Sequence, residues 1–137
     1  MTLTRKQMRE RITSGPTFWM GGAYDALSAL LVDQSDFDGV FTTGFGISAS
    51  LLGQPDVELY TLTENLGVVN RVTNVVTKPV FADADTGYGN VINVMRTVRE
   101  FEKVGPEVMR SRICLRVRVI GVLSLETSSP GRGGAAR

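Results

Sequence analysis

Pro79-Val80-Phe81-Ala82-Asp83-Ala84-Asp85-Thr86-Gly87-Tyr88-Gly89-Asn90 is the stretch that decides how this chain is read. Its first five residues form a short apolar run ending in an acid, which predicts a buried strand. Gly87-Tyr88-Gly89 then turns the chain. Val91 to Val104 predicts a helix, and Gly105 stands where the left-handed residue after a helix belongs. Strand, acidic turn and helix, in that order, make one βα unit.

Working outward, the same alternation recurs. Thr2 to Ile12 is charged and amphipathic and predicts a leading helix, capped by Thr2 or Thr4 and stopped by Gly15-Pro16. Thr17-Phe18-Trp19-Met20 predicts a first strand over 17–21, bounded by Gly21-Gly22. Tyr24 to Gln34 predicts a helix, because Leu27, Leu30 and Leu31 fall at i, i+3 and i+4. Asp38 to Thr43 predicts a second strand, closed by Gly44 and Gly46. A long polar connection holds Gly53-Gln54-Pro55-Asp56. Leu62 to Val76 predicts a further helix capped by Thr61 or Thr63. Strands alternating with helices imply an α/β fold with parallel strands. Polar and glycine-rich residues collect after each strand, and ligands of parallel α/β folds sit at the carboxyl ends of strands. The clusters therefore point to one shared site.

Composition narrows the function classes. The chain has 137 residues, 42% of them hydrophobic and 21% charged, with 15 Lys+Arg against 14 Asp+Glu. Those values fit one globular domain. A net charge of +1 offers no long-range attraction to nucleic acid or to an anionic membrane. No apolar run approaches the ~20 residues of a membrane span, and the charged N-terminus lacks the apolar stretch of a signal peptide. A soluble cytoplasmic protein is expected. The chain has no histidine, so it carries no Ser-His-Asp triad and no imidazole base. Its one cysteine, Cys114, forms no internal disulfide, and in a strand-like run it reads as a small apolar residue.

Asp83 and Asp85 are the sharpest chemical signal. Along a strand, residues i and i+2 face the same way. Two carboxylates on one side repel unless a cation or a donor lies between them, and hard oxygen ligands suit Mg²⁺ or Mn²⁺. The other reading has Asp83 capping the following helix and Asp85 solvated in the turn, and the spacing does not decide between them. Three familiar motifs fail on detail. An EF-hand counted from Asp83 would place glycine and glutamate where Tyr88 and Val94 stand. A haloacid-dehalogenase-type phosphatase requires Thr or Val where Gly87 stands. A G-x-G-x-x-G fingerprint requires glycine where Ile92 stands.

An ordered series of motifs carries a family resemblance. It runs through Gly22-Ala23-Tyr24-Asp25-Ala26-Leu27-Ser28-Ala29, Thr43-Gly44-Phe45-Gly46-Ile47-Ser48-Ala49-Ser50-Leu51-Leu52-Gly53 and Pro55-Asp56. It continues through Ala82-Asp83-Ala84-Asp85-Thr86-Gly87-Tyr88-Gly89-Asn90, Asn93-Val94 and Arg96-Thr97-Val98. The series, over roughly residues 5–105, resembles the isocitrate lyase/phosphoenolpyruvate mutase superfamily. The group most like it holds the small 2-methylisocitrate lyases, dimethylmalate lyases, oxaloacetate decarboxylases and carboxyphosphonoenolpyruvate phosphonomutases. The resemblance implies the first three to four βα units of a Mg²⁺-dependent (β/α)8 TIM-type barrel. It implies lyase chemistry on a small 2-oxo or 2-hydroxy carboxylate, breaking a C–C bond, or in the mutases a P–C bond, through an enolate. It assigns Asp85, Asp83 and Asp56 to the metal, with Asp83 bound directly or through water. Thr43, Gly44 and Phe45 would grip the substrate carboxylate, and Tyr24 lies in a substrate-facing loop, where a packing role is an equal reading. Asn90 and Asn93 read as turn and helix-cap residues. The family is homo-oligomeric.

Residues 106–137 depart from that pattern. Residues 1–105 hold nine basic and twelve acidic side chains, whereas residues 106–137 hold six arginines and two acids. The family's next strand carries Glu-Asp-Gln, and its mobile loop carries Lys-x-Cys-Gly-His, which supplies the acid or base. Neither is present. Ile113 to Ile120 alternates like a strand but has no carboxylate, and residues 127–137 read as disordered. The boundary is placed at Gly105, with a frameshifted or alternatively spliced tail beyond it. A (β/α)8 unit takes ~250 residues. An incomplete barrel leaves sheet edges open, which favours self-association or aggregation. No catalytic acid or base is assigned, and an inactive fragment of such an enzyme is the competing expectation.

Overall fold

The structure is a computed structural model that describes residues 5–105 and 108–110. In chain order it holds α1 (Arg5–Ser14), β1 (Met20–Ala23), α2 (Ala26–Asp33), β2 (Gly39–Thr42), α3 (Gly44–Leu52), α4 (Leu62–Val75), β3 (Val80–Asp83), α5 (Val91–Val104) and β4 (Val108–Arg110). The expected caps at Thr2 or Thr4, the run 113–120, Cys114 and the tail 127–137 lie outside the described residues.

The four strands form one sheet in the order β1-β2-β3-β4, and each neighbouring pair is parallel. Met20 pairs with Gly39, Val40 with Val80 and Phe81 with Val108. Side-chain alternation divides the core in two. Val40, Val80 and Ala82 point to the face covered by Ala29 and Val32 of α2, Val68, Val69 and Val72 of α4, and Val98 and Phe101 of α5. Phe41 and Phe81 point to the opposite face, where Met8 of α1 and Phe18 meet them. Arg11 ties α1 to the start of β2 through an ion pair with Asp38 at 2.8 Å.

The sheet differs from the sequence reading at its first strand. β1 begins at Met20 and runs through Gly21-Gly22, so the glycines lie within the strand rather than closing it. Gly21 is there for space. A Cβ on it would stand 2.6 Å from Val32 Cγ1 and 2.8 Å from Phe37 Cδ2, so α2 lies directly on the strand. The expected leucine face of α2 is also reversed. Leu27 and Leu31 are 67% and 64% exposed, and the buried side consists of Ala29 and Val32. Small residues allow the close approach that Gly21 also serves.

Two further departures bear on the site. The segment read as a glycine-closed turn and polar connection contains α3, capped by Thr43 and ended by Gly53 in the left-handed region at φ 63°. The sheet also continues past Gly105, because β4 pairs with β3 beyond the composition break. The other helices sit close to expectation. α4 starts from Thr61 in a capping box with Glu64, and α5 starts from Asn90 and ends at Gly105 at φ 85°.

Asp25 caps α2, accepting from Ser28 N at 2.7 Å, while Ser28 Oγ accepts from Asp25 N at 3.2 Å. The Ser28 N–H, followed by the Ser28 hydroxyl, holds the Asp25 carboxyl below its ordinary value of 3.8. A folded value below the unfolded one stabilises fully above the unfolded pKa and is lost as pH falls through the folded value. Asp25→Ala is therefore expected to cost about 0.5–1 kcal/mol near neutral pH. The difference between variant and parent should shrink on acidification below the ordinary carboxylate range. Urea unfolding across pH measures both.

Candidate functional site

β3 delivers Asp83 to its carboxyl end, and the turn behind it brings Asp85 back to the same point. Asp83 is 7% exposed and Asp85 is fully buried. Asp83 Oδ1 accepts from the Asp85 N–H at 3.1 Å, a side-chain-to-backbone turn that folds residue 85 over residue 83. The turn holds Asp85 at φ 45° and Tyr88 at φ 62°, left-handed backbone that non-glycine residues adopt only when surrounding contacts enforce it. The two carboxylates thus share a direction through a turn, not through strand alternation.

The facing wall is the first residue of α3. Gly44 N donates to Asp83 Oδ2 at 3.4 Å. A Cβ on Gly44 would stand 2.9 Å from Tyr60 Oη, 3.0 Å from Asp85 Oδ1 and 3.3 Å from Asp83 Oδ2. Three oxygens therefore converge on the space that the missing side chain leaves. The N-terminus of α3 adds its partial positive charge beside the two acids.

Tyr60 and Tyr88 support the acids from behind. The hydroxyls of Tyr60 and Tyr88 both donate to Asp85 Oδ2, Tyr88 at 3.2 Å. Tyr88 Oη also accepts from Asn65 Nδ2, and Asn65 Nδ2 donates to the Asp83 carbonyl at 2.8 Å. Burial pushes the Tyr60 phenol far above its ordinary range, and the bond to Asp85 reinforces the shift. Burial also raises Tyr88, against the lowering effect of the Asn65 bond. Both phenols stay protonated near neutral pH and remain donors.

The expected site residues divide as follows. Asp83, Asp85 and Gly44 meet. Thr43 lies next to them, with its Oγ1 accepting from Gly46 N at 3.4 Å as the cap of α3. Tyr24 is 42% exposed and packs on Gly46, where a Cβ would stand 2.9 Å from Tyr24 Cβ. Phe45 is 63% exposed. Asp56 is half-buried on the connection after α3, beside Gln54 and Pro55, whose carbonyls accept from Ser48 Oγ at 3.0 and 2.9 Å. Among the described residues no three acidic side chains gather to hold a metal, so the convergence consists of Asp83 and Asp85 with Tyr60. Capping of the following helix belongs to Asn90, whose Oδ1 accepts from Ile92 and Asn93 at 3.0 and 3.2 Å. That excludes the reading of Asp83 as a helix cap with Asp85 in solvent. Sequence reasoning passed over Tyr60 and Asn65. Each lies one turn or less from the Thr61–Glu64 capping box, a signal that locates the helix start but not what surrounds it.

Sequential parallel strands, with α2, α4 and α5 packed along one face and an acidic oxygen cluster at the strand ends, are the features of the opening βα units of a (β/α)8-type fold. Residues 8–109 match the phosphoenolpyruvate phosphomutase family, and the chain belongs to that family. 2,3-Dimethylmalate lyase of Eubacterium barkeri is 48% identical over 107 residues, covering 78% of this chain and 37% of that enzyme. Phosphoenolpyruvate phosphomutase of Streptomyces platensis subsp. rosaceus superposes with a TM-score of 0.71 at 40% identity, covering 78% of this chain and 37% of that one. Phosphonopyruvate hydrolase, solved with oxalate and Mg²⁺, superposes at 0.72 with 32% identity, covering 78% and 38%. The chain thus spans less than half the length of these relatives. Members of the superfamily act on small carboxylates. Among the described residues no helix is long and apolar enough to cross a membrane.

Two glycine substitutions test the geometry. At an uncrowded helix position Gly→Ala stabilises by ~0.5–1 kcal/mol. Gly67, in α4, has nothing within 4 Å of a Cβ, so Gly67→Ala should show that gain. Gly44→Ala should instead destabilise by about 1–3 kcal/mol, because its methyl meets three site oxygens. Thermal and urea unfolding of the two variants give the opposite signs if the cluster is built as described.

Proposed function

We propose that residues 5–110 form the metal- and carboxylate-binding part of a Mg²⁺-dependent lyase that acts on a 2-oxo or 2-hydroxy carboxylate and breaks a C–C bond through an enolate. The observation that carries it is the convergence of Asp83 Oδ2, Asp85 Oδ1 and Tyr60 Oη on Gly44 at the carboxyl ends of the strands. Hard oxygens suit Mg²⁺, which takes few protein ligands; Mn²⁺ fits the same donors. Asp83 and Asp85 would hold the ion, and Asp56 would reach it through water. The bound ion would act as a Lewis acid toward the developing enolate. Thr43, Gly44 and Phe45, at the start of α3, would receive the substrate carboxylate, with Tyr24 beside them. The family's range supports this reading, since its named members include a dimethylmalate lyase and a structure holding oxalate with Mg²⁺. The mutases of the family make P–C cleavage the second chemistry this site would serve.

The proton-transfer group is not identified in residues 1–137. The chain has no histidine, and Cys114 lacks the Cys-Gly-His surroundings of the family loop. Positioned acid–base help is worth ~10²–10⁴ in rate. The 137-residue chain is therefore expected to bind Mn²⁺ in the millimolar range, more tightly with oxalate present, and to lose that binding in Asp85→Ala. It should release no pyruvate from oxaloacetate, 2-methylisocitrate or dimethylmalate above a metal-only blank. Electron paramagnetic resonance of free Mn²⁺ and a coupled pyruvate assay measure the two. Absence of Mn²⁺ binding would overturn the metal reading. Turnover that disappears in Asp85→Ala would show a proton-transfer group within these residues.

A further inference from the structure

A cavity of about 500 Å³ lies between the α3–α4 connection and the first turns of α5. That volume suits a small organic molecule. Tyr60 and Tyr88 line it, so it adjoins the acidic pair, but neither Asp83 nor Asp85 lines it. Most of its polar lining is already committed within the protein. Thr61 and Glu64 satisfy each other at the start of α4. The Thr97 hydroxyl donates to the Gly87 carbonyl at 2.9 Å, and Glu58 Oε1 accepts from the Thr86 N–H at 3.0 Å.

Two donors on α5 are not committed. Asn93 and Arg96 both line the cavity, and three residues apart they share one face of the helix. Glu100, the acid one turn beyond Arg96, is taken by Lys103 at 2.8 Å. Among the described residues Arg96 itself has no hydrogen bond or ion pair. Gly89 gives the Asn93 amide its place, since a Cβ there would stand 2.8 Å from Asn93 Cγ and 2.9 Å from its Oδ1. Leu59 and Leu62 add apolar wall, and Leu59 is 54% exposed.

We propose that this cavity binds a small monocarboxylate with an apolar body, its carboxylate on Arg96 and Asn93 and its body against Leu59, Leu62 and Tyr88. A guanidinium presents paired N–H groups in a plane that matches a carboxylate, and the Asn93 amide adds a further donor. Glu58 limits the charge of the ligand, because a second anionic group in the same cavity would meet its carboxylate. The site is separate from the start of α3 and uses no metal, so the inference goes beyond the lyase reading and does not rest on it.

The test titrates benzoate, and benzyl alcohol as its uncharged counterpart, into the isotopically labelled 137-residue chain with EDTA present. Benzoate should move the amide resonances of Thr61, Thr86, Gly89 and Asn93 saturably, with a Kd of about 1–10 mM for a ligand of that size. Benzyl alcohol should bind about tenfold more weakly. Arg96→Gln should weaken benzoate about tenfold as well, the effect of losing one hydrogen-bonded charge, and Arg96→Lys should weaken it less. Arg96 is exposed, so both variants keep the fold. Equal affinity for the two probes, an unchanged benzoate affinity in Arg96→Gln, or no saturable shift at all would overturn the proposal. Shifts centred on Thr43 and Gly44 would also overturn it, by placing the carboxylate at the strand ends, and would leave the lyase reading standing. Failure of the chain to bind Mn²⁺ would remove the metal reading and leave the benzoate titration in EDTA unaffected.

Discussion

Two carboxylates taken out of water beside one another constrain everything around them. Burying an ionised acid costs several kcal/mol unless donors replace its hydration, and a second acid adds repulsion. The chain meets that cost with donors from four places: the Asp85 N–H, the Gly44 N–H, and the hydroxyls of Tyr60 and Tyr88. Each donor fixes an element. Gly44 places the start of α3 against the end of β3, and Tyr60 places the start of α4. Tyr88 holds the turn before α5, and Asn65 reaches from α4 to the carbonyl of Asp83. The parallel sheet supplies the platform, but the acids decide how the connections after β2 and β3 must sit.

Much of this was legible in the residues. Asp38 to Thr43, Pro79 to Asp83 and the helices starting at Leu62 and Val91 carry strong local signals: apolar runs for buried strands, and Thr61 and Gly105 at helix ends. What was illegible follows from packing rather than propensity. Gly21 looks like punctuation in a sequence, yet it lies within β1 because Val32 and Phe37 occupy the space of its side chain. Leu27, Leu30 and Leu31 have the spacing of a buried stripe, yet α2 turns its smaller residues to the sheet because only they fit against Gly21. α3 was hidden by two glycines in its first turn. One of them faces site oxygens and the other faces Tyr24, and neither constraint is local in sequence.

The site was legible to a similar depth. Asp83 and Asp85 announce themselves, and Thr43-Gly44 follows a strand as a ligand-binding turn should. Their convergence depends on β2 and β3 being parallel neighbours, a property of the alternation. Tyr60 was invisible as a site residue because no local pattern links it to the acidic turn. Its partner lies 25 residues away, and only the folded connection brings it to Asp85. Asp56 illustrates the reverse. Its position in a recognisable motif is clear, but it lies half-buried on the α3–α4 connection, and among the described residues it forms no three-acid group with the other two.

The connection between β2 and β3 has one more consequence. β1 and β2 are joined through a single helix, whereas β2 and β3 are joined through two, so pairing Val40 with Val80 closes roughly twice as much chain as pairing Met20 with Gly39. The entropy of closing a loop grows only with the logarithm of its length, about 0.6 kcal/mol for each doubling. The additional helix therefore adds little to the free energy of bringing β2 and β3 together. In return it brings a helix N-terminus, a bare glycine and the approach to Tyr60 to the end of β3. A fold that tolerates long crossovers so cheaply can elaborate the chemistry at its strand ends while the register of its sheet stays as it is.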